Sequence, residues 1–315
     1  MTITQLEYIV AVDNFRHFAE AAEYCFVTQP TLSMQIIKLE NELGVKIFDR
    51  SKHPVVPTDV GEQIIVQARK ILNESQVISQ IVADKKGVLQ GELRLGIIPT
   101  LAPYLLPLFI QDFIKKYPQI KLIISDLTTG DIIDRLKTGR LDAGLLVTPL
   151  NDPGITEFHL FYEEMVAYVS KSSGAYRKTY VLPGDIDPNK LWLLEEGHCF
   201  RTQILNLCEL RKSAGMNNFE YEAGSIETLR RMVEVNNGVT VLPELATMDL
   251  NARQLSLVRH FRPPAPMREV SIVTHRDFVK KRLVDVLIQE ILRCLPEKIR
   301  KNKSKRIIAI NESSQ

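Results

Sequence analysis

Cysteine is scarce in this chain. Four residues in 315, Cys25, Cys199, Cys208 and Cys294, are too few for the stapled scaffold of a small secreted protein. A disulfide between any two of them is therefore expected to regulate the protein rather than to hold its fold. Neither sign of charge is in excess: 40 Lys and Arg against 38 Asp and Glu leave a net charge of +2. No global field marks a nucleic-acid partner, so any contact with DNA has to come from a local surface. No apolar run approaches the roughly 20 residues of a membrane-spanning helix. The opening residues Met1, Thr2, Ile3 and Thr4 carry no signal-peptide pattern. These absences predict a cytoplasmic protein without membrane contact.

What is present is ordinary in bulk but organised along the chain. Apolar residues at 45% and charged residues at 25% fit a globular protein long enough for two or three domains. Residues 1–57 are predicted helical. Thr4 and Glu7 have capping-box spacing at the start of a first helix, with Leu6, Ile9 and Val10 as its apolar face. A second, alanine-rich helix is expected over Phe18–Cys25. Thr28 caps a third, which tolerates Pro30 in its first turn and continues through Leu39. Two short helices joined by a tight turn, the second polar on its outer face, fit helix-turn-helix geometry; a generic helical bundle fits the same spacing. Residues 58–87 predict one long linker helix, capped by Thr58 or Asp59. Ile64, Ala68, Ile71, Ser75, Ile78 and Val82 have the spacing of a coiled-coil seam, and so of a dimer. The same stripe also suits packing on its own chain. Gly87 and Gly91 end the helix in a hinge.

From Gly91 onward the period changes. Strands over Glu92–Ile98, Ile120–Asp126 and Leu141–Val147 alternate with helices over Leu101–Tyr117 and Asp131–Thr138. That order predicts a parallel βαβαβ unit. A second such unit is expected from Met165 to Val258, with strands at Met165–Ser170, Trp192–Glu195, Phe219–Ala223 and Gly238–Pro243. A strand at Glu269–Thr274 and a helix at Phe278–Leu295 return the chain to the first unit. Residues 88–300 thus read as two α/β lobes flanking a cleft, of the periplasmic-binding-protein kind. Residues 301–315, basic and then polar, are expected to be a disordered, solvated tail.

Cys199 and Cys208 are the most informative pair. Ile204, Leu205, Leu207 and Leu210 form an apolar stripe that marks the segment after Cys199 as a helix. Nine residues of helix separate two positions by about 13–14 Å, whereas a disulfide needs Cα atoms within about 7 Å. The two thiols can therefore pair only if the local structure unravels, which is the signature of a switch.

Phe18, Ala19, Glu20, Ala21 and Ala22, then Val27, Thr28, Gln29, Pro30, Thr31, Leu32 and Ser33, strongly resemble the N-terminal domain of LysR-type transcriptional regulators. Gln35, Ile36, Leu39, Glu40, Leu43, Gly44, Phe48, Asp49, Arg50, Pro57, Thr58 and Gly61 continue the match. One departure is His17, where that family usually has a capping Ser. The resemblance implies a winged helix-turn-helix, a linker helix and a two-lobed effector domain, in the order read above. Gly197, His198, Cys199, Phe200, Arg201, Thr202 and Gln203, followed by Cys208, are similar to the peroxide-sensing, OxyR-type branch. So are Ser225–Val233 and Gly238–Pro243. The resemblance assigns Cys199 as the peroxidatic and Cys208 as the resolving cysteine. It puts Thr100, Thr129, His198 and Arg268 around the peroxide. It also implies double-stranded promoter DNA and hydrogen peroxide as partners, a homodimer or homotetramer, RNA polymerase as a further candidate, and no cofactor.

The residue types suit these roles. Only a thiolate attacks peroxide, so Cys199 is expected to have a lowered pKa, helped by its helix N-terminus and by His198 and Arg268. Thr100 and Thr129 follow strands, where open α/β lobes bind ligands. On the other domain, Thr31, Ser33, Gln35 and Lys38 line the outer face of the recognition helix. Arg50 and the turn Ser51–Val56 suggest a wing reaching DNA backbone or minor groove. Cys25 and Cys294 are expected to be inert packing. A zinc site at His198, Cys199 and Cys208 lacks a fourth ligand at metal spacing. Two rivals remain: a LysR-type regulator of a small anionic metabolite with incidental thiols, and a thiol peroxidase, for which the N-terminal module has no use.

Overall fold

The computed structural model describes residues 1–85, 89–195, 199–208, 223–278, 280–302, 306–308 and 310. Residues 1–91 with 137–140 form one compact unit, and residues 92–136 with 141–315 form the other.

The first unit opens with α1 (Ile3–Phe15), α2 (Phe18–Tyr24) and α3 (Gln29–Leu43). The capping box of α1 is two residues earlier than expected. The Thr2 hydroxyl accepts from the Gln5 N–H at 3.2 Å, and the Gln5 side chain accepts from the Thr2 N–H at 2.9 Å. Gln answers the cap as well as Glu does, so Thr2 and Gln5 compete successfully with Thr4 and Glu7. His17 makes no side-chain cap to α2, whereas Thr28 caps α3 and Gly44 ends it in the left-handed conformation, φ 70°. Leu6, Ile9 and Val12 of α1 bury against Ala21, Ala22, Leu32, Ile36 and Leu39. A small wing follows, β1 (Phe48–Asp49) antiparallel to β2 (Val56–Pro57). Glu40 ties the wing to α3: its carboxylate, 1% exposed, accepts from the N–H groups of Ile47 (2.9 Å) and Phe48 (3.3 Å).

The linker helix α4 (Asp59–Lys85) is capped by Thr58, whose hydroxyl accepts from the Gly61 N–H at 2.9 Å. Position 61 has to be glycine, since a Cβ there would lie 2.0 Å from the Ile47 carbonyl oxygen. The early part of the stripe serves this chain's own core. Ile65 and Ala68 are buried, and Ile64, Ile71 and Leu72 pack against them partly covered. Further along, Ile78 is 67% exposed.

The second unit contains β3 (Gly91–Ile97), α5 (Ala102–Lys116), β4 (Ile120–Asp126), α6 (Thr129–Lys137), β5 (Ala143–Thr148), β6 (Ile155–Val169) and β7 (Tyr180–Val181). It continues with α7 (Cys199–Leu207), α8 (Ile226–Val235), β8 (Val239–Pro243), α9 (Ala252–Leu255), β9 (Val258–Phe261), β10 (Met267–His275), α10 (Lys281–Cys294) and α11 (Glu297–Arg300). One sheet runs β4-β3-β5-β10-β6-β9-β7, with β8 also on β6. In the first lobe β3 and β5 are parallel, as expected. The second lobe departs in part from the expected parallel unit: β8 and β9 both pair antiparallel with β6, while β7 and β9, and the single bridges Leu191–Val239 and Leu194–Ala223, run parallel. The cause is β6 itself. Of its 15 residues, Ile155–Glu164 pair with β10 and Met165–Val169 with β8 and β9, so one strand serves both lobes. Trp192–Glu195 is not a strand; Leu191 and Leu194 make single bridges to Val239 and Ala223. Of the expected strand Phe219–Ala223, only Ala223 lies within the described residues.

The tail also departs from expectation. Ile307 bridges Met267, the Met267 N–H donates to the Arg306 carbonyl at 2.8 Å, and the Ile308 N–H returns to the Met267 carbonyl at 2.9 Å. Ile308 and Ile310 are buried. The apolar surface of these isoleucines, following the basic run, outweighs the solvation that a charged tail would seek.

Glu40→Ala would leave two buried N–H groups of the wing unpaired. A loss of about 2–4 kcal/mol is expected, since each orphaned group costs about 1–3 kcal/mol. Urea unfolding of the full chain checks the size, and faster hydrogen exchange at Ile47 and Phe48 checks the cause.

Candidate functional site

Four of the expected pocket residues are drawn together through Arg268 and Cys199. Thr100 follows β3 and is buried, Thr129 is the first residue of α6 after β4, Cys199 is the first residue of α7, and Arg268 lies in β10. His198 lies outside the described residues. Arg268 organises the group although it is 0% exposed. Its Nε donates to Glu163 Oε2 at 2.7 Å, its Nη1 to Thr100 Oγ1 at 3.0 Å and its Nη2 to the Thr100 carbonyl at 3.2 Å. The guanidinium carbon is 5.3 Å from the centre of the Phe200 ring, close enough for a cation–π contact. Glu163, equally buried, faces Arg268 in strand register and also accepts from the Leu245 N–H at 2.7 Å. Burial pushes the Glu163 carboxyl up, and the Arg268 charge and the Leu245 N–H pull it back.

The Cys199 thiol does not behave as the sequence suggests. Burial raises its pKa, and this outweighs three effects that favour the thiolate: the Thr129 hydroxyl, the Arg268 charge, and the N–H groups of Phe200 and Cys199 at the helix start. Each favourable group was anticipated; the enclosure that opposes them was not. The Thr129 hydroxyl is buried and has no hydrogen-bond partner among the described residues, yet it stands near enough to the thiol to stabilise its charge. Thr100 complements it. An arginine can only donate, so Thr100 Oγ1 accepts from Arg268 and its own proton remains to be given. The Thr129 hydroxyl and the Arg268 charge thus act on the sulfur, and Thr100 stands on the same guanidinium, an arrangement suited to an oxygen that becomes negative during reaction.

Cys208 stands at the other end of α7. Its N–H donates to the Ile204 carbonyl at 3.0 Å, so the helical turn extends over it. Both cysteines are free. Burial alone pushes the Cys208 thiol up to about 11, which keeps it protonated and unreactive while α7 is intact. Phe200, Gln203, Ile204 and Leu207 form the buried face of the helix. Away from this site, Cys25 and Cys294 are partly exposed free thiols. Burial, then the charge of Glu7, raises the Cys25 thiol.

Three contributors went unrecognised in the sequence: Glu163, Phe200 as the platform for Arg268, and Gln203. Glu163 left one trace. It interrupts an alternating apolar series between Phe161 and Met165, where a carboxylate needs a buried cation to be tolerated.

On the first unit, the expected DNA-facing residues divide. Lys38 is exposed, and the Thr31 hydroxyl meets the Thr28 hydroxyl at 2.9 Å. Gln35 is turned partly inward, its Oε1 accepting from Gln5 Nε2 at 3.3 Å. Ser33 and Arg50 are joined, with Arg50 Nη1 donating to Ser33 Oγ at 2.9 Å. Arg50 also lies over the Phe18 ring at 4.9 Å and 3.5 Å from Glu40. It is thus held at the base of the wing against α3 rather than reaching out along it.

Comparison with known proteins agrees with this architecture. Residues 3–62 match the bacterial regulatory helix-turn-helix protein, lysR family, and residues 86–295 match the LysR substrate binding domain. A hydrogen peroxide-inducible genes activator of Haemophilus influenzae is 33% identical over 273 residues, 87% of this chain and 90% of that protein. A full-length OxyR variant from Pseudomonas aeruginosa aligns with a TM-score of 0.80 at 37% identity, covering 94% of this chain and 99% of that one. A cysteine-to-serine variant of OxyR from Corynebacterium glutamicum, bound to hydrogen peroxide, aligns with a TM-score of 0.60 at 26% identity, covering 93% and 94%.

The raised thiol sets a pH dependence. Below its pKa the thiolate fraction grows up to about tenfold per pH unit, so Cys199 alkylation by iodoacetamide should accelerate throughout pH 7–9 rather than level off near 7. Thr129→Val removes a group that lowers the pKa and should move the profile further toward alkaline pH. Both profiles can be read by peptide mass analysis.

Proposed function

The chain belongs to the lysR family of bacterial helix-turn-helix regulators, and on that premise we propose how it works. It is a DNA-binding transcriptional regulator that responds to hydrogen peroxide through Cys199 and Cys208. The observation that carries this reading is the Cys199 thiol at the start of α7, beside the Thr129 hydroxyl and the Arg268 charge, with a second thiol at the helix end.

Cys199 is the peroxidatic residue. Its thiolate sulfur attacks one peroxide oxygen; the S–O bond forms, the O–O bond breaks, and the second oxygen leaves as hydroxide and takes up a proton as water. Thr100 and Thr129 donate to the departing oxygen and Arg268 offsets its charge; the family resemblance assigns His198 to the same reaction. The sulfenic acid is then attacked by the Cys208 thiolate: the S–S bond forms, the S–O bond breaks, and a second water results. The two thiols supply two electrons and peroxide accepts them. The reading is of a stoichiometric sensor and not of an enzyme.

The second step has a conformational cost. A helix holding the cysteines about 13–14 Å apart has to open before they bond. Phe200, Ile204 and Leu207 then lose their buried positions, at about 1.5–3 kcal/mol for each large apolar side chain exposed. Burial of Cys208 supports the same order of events, because its thiol becomes an effective nucleophile only once the helix loosens. The signal reaches double-stranded promoter DNA through Thr31, Ser33, Gln35, Lys38 and Arg50. Exposed Ile78 on α4 supports a homodimer seam, with pairs of dimers forming a tetramer; RNA polymerase is the downstream partner. The setting is the cytoplasm.

Cys199→Ser is expected to abolish the peroxide response with the fold intact. Cys208→Ser should stop at the sulfenic acid, detectable by dimedone labelling and mass analysis. Oxidation of Cys208 at the wild-type rate in the Cys199→Ser protein would reverse the assigned roles. Lys38→Ala should weaken binding to all DNA sequences alike and reduce the salt dependence of log K by about one unit, read by anisotropy at several salt concentrations.

A further inference from the structure

The C-terminal segment returns to the redox site and takes hold of its moving helix. After α11, Asn302 Nδ2 donates to the Tyr162 carbonyl at 3.2 Å and to Glu244 Oε2 at 3.4 Å, and Lys298 pairs with Glu244. Ile299 is buried. The chain then exchanges both backbone hydrogen bonds of Met267 with Arg306 and Ile308, at 2.8 and 2.9 Å. Met267 immediately precedes Arg268, the residue that holds Thr100 and faces Glu163. From this seat the Ile308 carbonyl accepts from Gln203 Nε2 at 2.8 Å. Gln203 is 0% exposed, and its Oε1 has no partner among the described residues. Nε2 to Ile308 is thus its one side-chain hydrogen bond within that set. It joins the middle of α7, between the two cysteines, to the edge of the strand that carries Arg268.

We propose that Gln203 and the Ile308 carbonyl form a clamp on the reduced state, with Gln203 as a positioning residue that sets how readily Cys199 and Cys208 become a disulfide. The inference rests on the assignment of those two cysteines as the redox pair. Gln203 touches no reacting atom. It acts by holding α7 in the conformation that keeps the thiols apart. Closing the disulfide unwinds the helix at its centre, and Gln203 cannot both leave the helix and keep its bond to a carbonyl fixed on β10. An interaction present only in the dithiol form opposes oxidation by its own strength, as any ligand selective for one of two states does. The C-terminal segment therefore tunes the threshold of the switch, and oxidation releases it from α7.

The test is a thiol–disulfide equilibrium. The full-length protein is brought to equilibrium with reduced and oxidised glutathione. One oxidised glutathione takes two electrons from Cys199 and Cys208 and leaves as two reduced molecules, and the intramolecular disulfide is quantified by peptide mass analysis. Gln203→Met keeps length and volume but loses the donor. Ile308→Pro removes the N–H that seats the tail on Met267. Each should shift the equilibrium toward the disulfide by about tenfold, the worth of one such buried hydrogen bond. The double variant should shift no further than either single one, because both changes break the same clamp. A shift below twofold in Gln203→Met overturns the proposal, as does a double variant whose shift is the product of the singles. If wild-type protein forms the disulfide with glutathione but ignores peroxide, the sensing reading falls while the clamp is still judged by these ratios.

Discussion

The second unit depends on one buried ion pair. Arg268 and Glu163 face each other across β10 and β6, the second of which serves both lobes, and neither reaches solvent. Their charges are expensive to bury. Replacing one partner alone in such a pair costs about 3–5 kcal/mol, because the other charge is left without compensation. The surrounding structure is arranged to satisfy them: Thr100 from the first lobe gives both its oxygens to Arg268, Leu245 from the second gives its N–H to Glu163, and Phe200 of α7 lies under the guanidinium. A loop, a turn and the start of a helix, distant in sequence, are fixed relative to one another by the need to compensate these two charges. The position of the Cys199 thiol is a by-product of that satisfaction.

The same enclosure explains the guarded chemistry of the site. A thiol on an open helix N-terminus would be acidified and would react with many electrophiles. Here burial raises the Cys199 pKa in the resting state, although the charge and dipoles nearby would welcome a thiolate. The groups that assist reaction are in place before the reactive species exists.

How much of this was legible depended on the range of the interactions. Local rules worked where the determinants are local: Thr28 caps α3, and β4 has the bounds read for it. Family likeness picked out Thr100, Thr129, Cys199 and Arg268, which do converge. Depth was not legible. Glu163 and Glu164 are neighbours of identical chemistry, yet one is buried with an arginine and the other is partly exposed; only the register of β6 against β10 distinguishes them. The direction of pairing in the second lobe was hidden for a related reason, since β6 changes partners midway and no single periodicity describes it. The tail misled because its basic run is conspicuous and its three isoleucines are not. Their partner, the edge of β10 at Met267, is invisible without the fold.

The close approach at Gly61 has a mechanical meaning. With no side chain there, the first turn of α4 rests on the carbonyl of Ile47, and Ile65 and Ala68 are sunk into the core of the helical head. Head and helix therefore behave as one rigid piece, a lever about 40 Å long at 1.5 Å per residue. A lever has no joint in which to lose motion. Turning its far end by about 5° carries that end through about 3–4 Å, roughly the spacing of adjacent base pairs along DNA, and turns the recognition helix by the same angle. Small rearrangements at a distance suffice to change the fit to a groove, because the glycine has removed the slack.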